Sequence, residues 1–555
     1  MGISNSNGGK RRGPAAEMKR GNYQSEKGYL APVLHAHLPF VRHPEYRDCL
    51  EEQWLYEAIV ETYIPLIQVV AGWKRDAVPS RLTISLSPTL LAMLQDRLLQ
   101  ARALRHIRQL IRLSEREEKR TGNQPAFHPL AEMYRERFGK ALETYLHYEH
   151  DLVQAFQEFQ SAKILECITC SATHALLPLL SVNEAAVRVQ LQVGVDSYRR
   201  CFGRNPPGIW LPECGYYPGL DKILKEFGIR YFFMESHGIL HADPHPRYGV
   251  HAPVCTPAGL AAFGRDPDSS KAVWSSVEGY PGDFDYREFY RDIGYDLDYE
   301  TIRPYLPGGG IRSNTGIKYY RITGKTADKE PYVRAWAVEK AAVHAGNFMF
   351  NREKQIEHLS SVMDRCPVIV APYDAELFGH WWFEGPEWID FLVRKVAFDQ
   401  RTFRLITPSE YLDLYPINQL CTPSASSWGY NGYNEFWLNG SNDWIYPHLH
   451  RAAEIMEELS QRLPRARGLE RRSLNQAARE LLLAQSSDWA FMMKTGATAD
   501  YAVKRTRSHL GRFLRLTQQI QAGDIREEWL SQLELRTRVF RGIDYRSFAP
   551  TVRVR

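Results

Sequence analysis

Residues 368–385 read Val-Ile-Val-Ala-Pro-Tyr-Asp-Ala-Glu-Leu-Phe-Gly-His-Trp-Trp-Phe-Glu-Gly, and the fold turns on how this stretch is read. A short β-branched run, Val368 to Val370, breaks at Pro372 and delivers Asp374 and Glu376. Phe378, His380, Trp381, Trp382 and Phe383 follow on a glycine-punctuated loop. Carboxylates at the C-terminal end of a buried strand are the arrangement of a parallel α/β barrel, whose chemistry sits where strands end. Aromatic faces crowded beside them suit sugar rings and glycosidic-bond chemistry. The competing reading is a core strand followed by an aromatic loop that fills an apolar gap, because aromatic side chains are mostly core.

Outward from this motif the same pattern recurs. Tyr29 to His35 reads as a first buried strand running into His35-Ala36-His37-Leu38-Pro39, followed by a helix from about Glu51 to Lys74. Leu82 to Leu86 is a second strand, residues 90–160 are inserted helices, and Ile164 to Ser171 is a third strand ending near His174. A helix over Asn183 to Phe202 leads to a strand from Gly208 that stops at Pro212-Glu213. A helix over Gly219 to Phe227 precedes a strand from Arg230 to Met234, and helical segments lie within Pro331 to Met363. The last strand, Phe403 to Ile406, feeds Thr407-Pro408-Ser409-Glu410, a capping box with proline at the first helical position. Such alternation implies parallel strands with crossover helices, in an open sheet or a barrel. His35, His37, His174, Glu213, Glu235 and Asp374 all fall at strand ends. From Asn439 onward the pattern is helical, about 448–463, 469–494, 499–521 and 525–539, and predicts a separate domain beside the barrel.

A chain of 555 residues exceeds what one core supports. The expected division is a disordered basic tail over 1–28, a catalytic barrel over 29–415 and a linker with a helical domain over 416–555. The net charge of +5 sits almost wholly in the tail, which carries +4, so the body is close to neutral and nucleic acid is not the expected ligand. No apolar stretch follows the basic start, so no secretory leader is expected. The most apolar long window, Ile164 to Val182, holds Glu166 and His174 and is no membrane span. Eight scattered cysteines fit free thiols in a reducing cytoplasm. Cys167 and Cys170 lack a second pair at zinc spacing and point to opposite faces of a strand, so no metal is expected there.

Glu213 lies in Trp210-Leu211-Pro212-Glu213-Cys214-Gly215-Tyr216, where a strand ends and a tight turn begins. With Asp374 it forms a pair of carboxylates at equivalent strand ends. Two carboxylates about 5–5.5 Å apart suffice for a retaining glycosidase, one attacking the anomeric carbon while the other protonates the leaving oxygen.

His35-Ala36-His37-Leu38-Pro39, the Trp-Leu-Pro-Glu-Cys-Gly-Tyr turn and the opening motif, in this order, resemble the signature regions of glycoside hydrolase family 57, and within it the 1,4-α-glucan branching group. Ile168 to His174, Val273-Trp274-Ser275 with Gly279 to Gly282, and Leu481 to Trp489 extend the match over nearly everything but the tail. The resemblance implies a (β/α)7 barrel with an inserted helical subdomain, a C-terminal all-α domain, and a retaining mechanism without metal or organic cofactor. It gives Glu213 as nucleophile and Asp374 as general acid/base, acting on amylose- or glycogen-type α-1,4-glucan. It implies that Arg265, Gly282, Trp428 and Asp488 contact the glucan and that Trp210, Trp274 and Trp437 surround the groove, with His380 and Trp381 in its wall. Tyr248 matches a tyrosine on a mobile loop near the catalytic pair, whose retention favours transfer over hydrolysis. One departure is a missing proline-rich insertion after the nucleophile turn, since Tyr217 runs directly into Pro218-Gly219. His35, His37 and His174 read as sugar-hydroxyl ligands. A metal-dependent hydrolase remains an alternative for them, as do histidines satisfied in a barrel core, and an α-glucan hydrolase or 4-α-glucanotransferase remains open for the whole chain.

Overall fold

The computed structural model of the chain describes residues 26–275, 278–306, 310–496 and 498–550. Nearly all of the expected tail, residues 1–25, lies outside the described residues, and Gly28 already opens the first strand.

Nine strands form one curled sheet: β1 (Gly28–Ala36), β2 (Leu82–Leu86), β3 (Leu165–Cys170), β4 (Gly208–Trp210), β5 (Tyr231–Met234), β6 (Val254–Cys255), β7 (Ala261–Gly264), β8 (Val368–Asp374) and β9 (Phe403–Leu405). Their order is β6-β7-β5-β4-β3-β2-β1-β8, with β9 paired to the start of β1. Every pairing is parallel except β6 with β7, so seven parallel strands from β7 round to β8 make the (β/α)7 body. The two edges meet through single contacts. The Asp266 N–H, just beyond β7, donates to the Val370 carbonyl at 2.9 Å, and the Val368 N–H donates to His251 at 2.9 Å.

The two-residue period of the strands decides what faces the barrel interior. Tyr29, Ala31 and Val33 of β1, Tyr231 and Phe233 of β5, Ala261 and Phe263 of β7, and Val368 and Val370 of β8 share one internal core. Leu30, Leu34, Ile369, Ala371 and Tyr373, in the opposite phase, pack outward under the helices. Continuing the internal phase by one or two steps reaches His35 on β1 and His37 just beyond it, Glu235 after β5, Arg265 after β7 and Asp374 on β8. The lower barrel is therefore filled with apolar side chains and the upper end with chemistry. Cys167 and Cys170 fall in different cores on opposite faces of β3, as the strand period requires, and all eight cysteines are free.

Between β2 and β3 stand four helices, Pro88–Leu94, Arg97–Arg120, His128–His147 and Val153–Ser161, where the inserted subdomain was expected. The helix expected over 51–74 contains a π-helical turn, Ile59–Tyr63. That turn lies against Gly379, whose φ is +107° and where a Cβ would stand 1.9 Å from the Glu61 carbonyl, so only glycine lets the two backbones meet. The capping box at Thr407 and Glu410 forms.

The C-terminal region is helical, with Ile445–Arg462, Gly468–Ala484, Ser487–Thr495, Ala499–Ala522 and Glu527–Arg536. The single helix expected over 469–494 is broken at Gln485-Ser486. Apolar periodicity runs through the break, but Ser486 is extended (φ −55°, ψ 130°), its hydroxyl bonds Asp488, and a new helix starts there. The break faces the barrel, where Gln190 of the helix Glu184–Phe202 donates to Gln485 at 3.0 Å and Ser487 N–H donates to the His174 carbonyl at 3.2 Å.

Candidate active site

A groove of about 430 Å³ opens at the C-terminal ends of the strands, and it is lined by His35, His37, His174, Glu213, Arg265, Trp274, Asp374, Glu376, Trp428, Trp437 and Asp488. Asp374 is the register partner of His35 across β1 and β8, so a single parallel ladder sets them side by side.

Glu213 is placed by an unusual turn. It has φ 59° and ψ 24°, and Cys214 follows at φ 51°, two consecutive left-handed residues that are not glycine. Each such residue costs about 1 kcal/mol or more and persists only where its surroundings impose it. The imposing element is the segment after Cys421. Ser426 and Tyr216 exchange backbone hydrogen bonds at 2.9 and 3.1 Å, and the Trp428 N–H donates to the Glu213 carbonyl at 2.8 Å. The same Trp428 donates its indole N–H to Glu213 Oε2 at 2.5 Å.

A chain of donors ends on the other carboxylate oxygen. Burial, with the neighbouring histidines, holds His35 and His174 well below the usual imidazole range, so each is neutral and carries one ring proton. Ser487 Oγ lies 3.2 Å from Glu213 Oε1 and 2.9 Å from His174 Nδ1; His174 Nε2 lies 2.9 Å from His35 Nε2. Only one direction uses every proton. His35 Nε2–H donates to His174, His174 Nδ1–H to Ser487, and the Ser487 hydroxyl to Glu213. This leaves His35 Nδ1 as a lone-pair end, and it is buried without a partner. Both groups that bond the Glu213 carboxyl are thus donors, which favours its anion.

The Asp374 carboxylate accepts no hydrogen bond from the described residues. Burial pushes it up to about 7, against the pull of His37 and Arg265. Glu213 is pushed up to about 8 by burial, its two hydrogen bonds opposing and the charges of Asp374 and Asp488 reinforcing the shift. Glu376 is pushed up to about 8 by burial too, although Tyr63 of the π-turn donates to it at 2.5 Å and His37 N–H at 3.1 Å. Asp488 goes the other way. Burial would raise it, but the charge and hydrogen bond of His37, at 3.1 and 3.2 Å, hold it at about 2. His37 Nδ1 meets Ser87 Oγ at 2.9 Å, so that imidazole is fixed at both ends.

These contacts separate the expected site residues. The structure brings together Glu213, Asp374, His35, His37, His174, Arg265, Trp274, Trp428, Trp437 and Asp488 in one groove. Trp210 is fully buried and stacks behind His35 at 4.8 Å, so it supports the wall rather than forming it. His380 and Trp381 are not in the groove wall. His380 is tied to Glu61 of the π-turn at 2.7 Å, and Trp381 stacks outward on Phe289 at 4.3 Å. Gly282 ends a 3₁₀ turn, Tyr280–Gly282, whose tyrosine packs on His344, and it does not line the groove. Tyr248 stands furthest from the groove in this structure. Its hydroxyl donates to Asp364, ahead of β8, beside the Arg247 guanidinium 5.2 Å from its ring. This flank lies by the N-terminal end of β8, away from the catalytic end, where the His251 carbonyl, three residues on, accepts from the Val368 N–H.

Ser487, Phe436 and Phe491 were not expected. Phe436 and Phe491 line the groove with Trp437. The Ser-Ser-Asp helix start is the sequence signal that would have exposed Ser487. Replacing Ser487 with alanine removes one donor to the Glu213 anion, so the acidic limb of kcat/KM shifts to higher pH, by about half a unit to one unit. An unmoved limb across a pH series of kcat/KM would exclude this role.

A parallel barrel whose strand ends carry two buried carboxyl groups in a groove walled with indoles defines a carbohydrate-active enzyme of the two-carboxylate class. The family model of glycosyl hydrolase family 57 matches residues 31–422, and the chain belongs to that family. The model described as 1,4-alpha-glucan branching enzyme, C-terminal, matches residues 448–548. A 1,4-alpha-glucan branching enzyme of Thermococcus kodakarensis is 32% identical over 93% of this chain and 78% of its own. The crystal structure of the alpha-amylase AmyC from Thermotoga maritima is similar at 45% identity with a TM-score of 0.89, covering 95% of this chain and 99% of that one. A family 57 branching enzyme from Pyrococcus horikoshii superposes with a TM-score of 0.85 at 31% identity, over 95% and 97% of the two chains.

Proposed function

We propose that the protein is a 1,4-α-glucan branching enzyme that cleaves α-1,4 bonds of amylose- or glycogen-type chains and re-forms them as α-1,6 branches. The observation that carries this is the pairing of Glu213, bonded only by donors, with Asp374, which has no donor, in one groove completed by the C-terminal region. Asp374 protonates the glycosidic oxygen while Glu213 attacks the anomeric carbon and forms a covalent glycosyl-enzyme. A glucan 6-hydroxyl then attacks that carbon, its proton passes to Asp374, and the Glu213 ester bond breaks. His37 and His174 engage both ring nitrogens within the protein, so the Asp488 carboxylate that His37 holds is the group placed to accept from sugar hydroxyls, and no step in this sequence uses a metal or organic cofactor.

Support comes from the branching relatives in Thermococcus and Pyrococcus and from the match of residues 448–548. Among the described residues no helix is long and apolar enough to cross a membrane, and we place the enzyme in the cytoplasm, where its free thiols fit. Hydrolysis is the second reading, favoured by the likeness to an α-amylase and by Tyr248 lying outside the groove. Proton NMR of amylose after incubation decides between them. New α-1,6 signals in excess of new reducing ends support branching, and reducing ends without α-1,6 signals reject it.

A further inference from the structure

Beyond the catalytic groove lies a second cleft of about 660 Å³, and the two share Arg265, Trp274, Trp428 and Gly429 as a common wall. The far side of this second cleft is formed by His237, Asn431 and Tyr433. Resting on the branching reading, we propose that this cleft holds the acceptor chain, the second α-1,4-glucan whose 6-hydroxyl receives the transferred segment, with Tyr433 as a stacking platform.

Three observations carry the proposal. The first is continuity. Trp428 holds Glu213 through its indole and also walls the second cleft, so a chain lying there is separated from the glycosyl-enzyme by no more than the side chains the two clefts share. The second is the construction of the far wall. Gly429, Asn431, Gly432 and Asn434 all have positive φ, at 85°, 60°, 74° and 65°, so a six-residue segment carries strain at its two asparagines. That strain is held by Ser427, whose N–H donates to Gly432 at 2.8 Å and whose hydroxyl accepts from Asn434 N–H at 2.7 Å. His237 Nε2 meets the Gly432 carbonyl at 3.0 Å, and a Cβ on Gly432 would fall 2.6 Å from the His237 ring. The effect is to present Tyr433, 60% exposed, edge-on to His237 at 5.1 Å, with a ring face open to the cleft. The third is chemistry. The charges facing the cleft are already paired, Glu235 with Arg265 at 3.0 Å and Lys271 with Glu278 at 2.5 Å. A lining of neutralised charges, amide, imidazole and two exposed aromatic rings suits a neutral polyol and no ionic ligand.

The cleft also supplies what Tyr248 does not. Choosing a sugar over water requires the acceptor hydroxyl to be held at high effective concentration beside the glycosyl-enzyme. In the second half-reaction the acceptor O6 forms its bond to the anomeric carbon, the bond to the Glu213 oxygen breaks, and the O6 proton moves to Asp374. No further reactant is needed.

The test measures α-1,6 linkages formed per new reducing end on amylose, by NMR and reducing-end assay, for wild type, Tyr433→Ala, Tyr433→Phe and Tyr430→Ala. Tyr430 is 64% exposed on the same segment but does not line the cleft, so it controls for the segment. Loss of one stacking platform lowers the Tyr433→Ala ratio roughly three- to tenfold. Added glucan acceptor, reduced at its end so that it is silent in the assay, restores the ratio as its concentration rises. Tyr433→Phe and Tyr430→Ala keep the wild-type ratio. A wild-type ratio in Tyr433→Ala, or an equal fall in Tyr430→Ala, overturns the acceptor cleft while branching stands. A wild type that forms reducing ends and no α-1,6 linkage overturns the branching reading, and the acceptor role falls with it.

Discussion

Glu213→Gln lowers turnover of amylose by about 10⁴–10⁶-fold, because no covalent glycosyl-enzyme can form without the carboxylate. Asp374→Ala loses about 10²–10⁴-fold on amylose and far less on an aryl α-maltooligoside, whose leaving group departs without a proton. The two roles are separated by azide. In Glu213→Ala, azide enters from the face the nucleophile occupied and the product is the β-glycosyl azide. In Asp374→Ala the glycosyl-enzyme still forms, and azide releases the α-glycosyl azide. Exchanged anomers would exchange the roles of the two residues, and turnover by Glu213→Gln above about 1% of wild type would move the nucleophile elsewhere.

The same pair sets the pH profile. The proposed mechanism requires Glu213 ionised and Asp374 protonated, yet burial lifts both, to about 8 and about 7. In the free enzyme the productive form is therefore one of two singly protonated arrangements of the pair, and its population peaks between the two values. The donors on Glu213 from Trp428 and Ser487 favour that arrangement, against the burial that lifts Glu213 above Asp374. The profile of kcat/KM is a narrow bell centred on about pH 7.5.

What was legible in the sequence follows strand phase. His35, His37 and Asp374 continue the inward-facing positions of apolar strands, so alternation alone places them in the barrel mouth, and Arg265 lies in the same phase of β7. What escaped was set by loops and by contacts between distant segments. Tyr248 could be matched by its neighbours in sequence, but its bond to Asp364 and that of His251 to Val368 set this loop on the other flank. The aromatic loop looked like groove wall in one dimension. A π-turn more than 300 residues earlier decides otherwise, since Glu61 takes His380 while Trp382 and Phe383 sink into the core. Helical periodicity concealed Ser487 because both halves of the broken helix bury the same kind of side chain. Its role appears only when the break is seen to face His174 and Glu213.

Glu376→Gln makes the unliganded enzyme more stable at alkaline pH, by about 2 kcal/mol or more, while leaving stability near pH 4 little changed. Glu376 moves from an ordinary 4.5 to about 8 because burial disfavours its charged form. Its folded-state value lies above its unfolded one, so between those limits the native protein keeps a proton that the unfolded chain releases. Stability from this group is thus fully present below about pH 4.5 and is lost as pH rises through about 8. The full shift would correspond to roughly 5 kcal/mol, which we discount by half because one side of the carboxyl meets the open groove. Glutamine keeps an oxygen for the Tyr63 hydroxyl and the His37 N–H and never ionises, so it removes the alkaline penalty without removing the bonds. Urea unfolding at pH 4.5 and pH 9 reads the difference; an equal gain at both pH values, or none at pH 9, would refute the burial argument. Near neutrality the retained proton makes wild-type Glu376 a hydrogen-bond donor into the groove beside Asp374. A buried acid that costs alkaline stability is retained here where a sugar hydroxyl can accept its proton, and glutamine, which also donates, should preserve part of the activity while the stability rises.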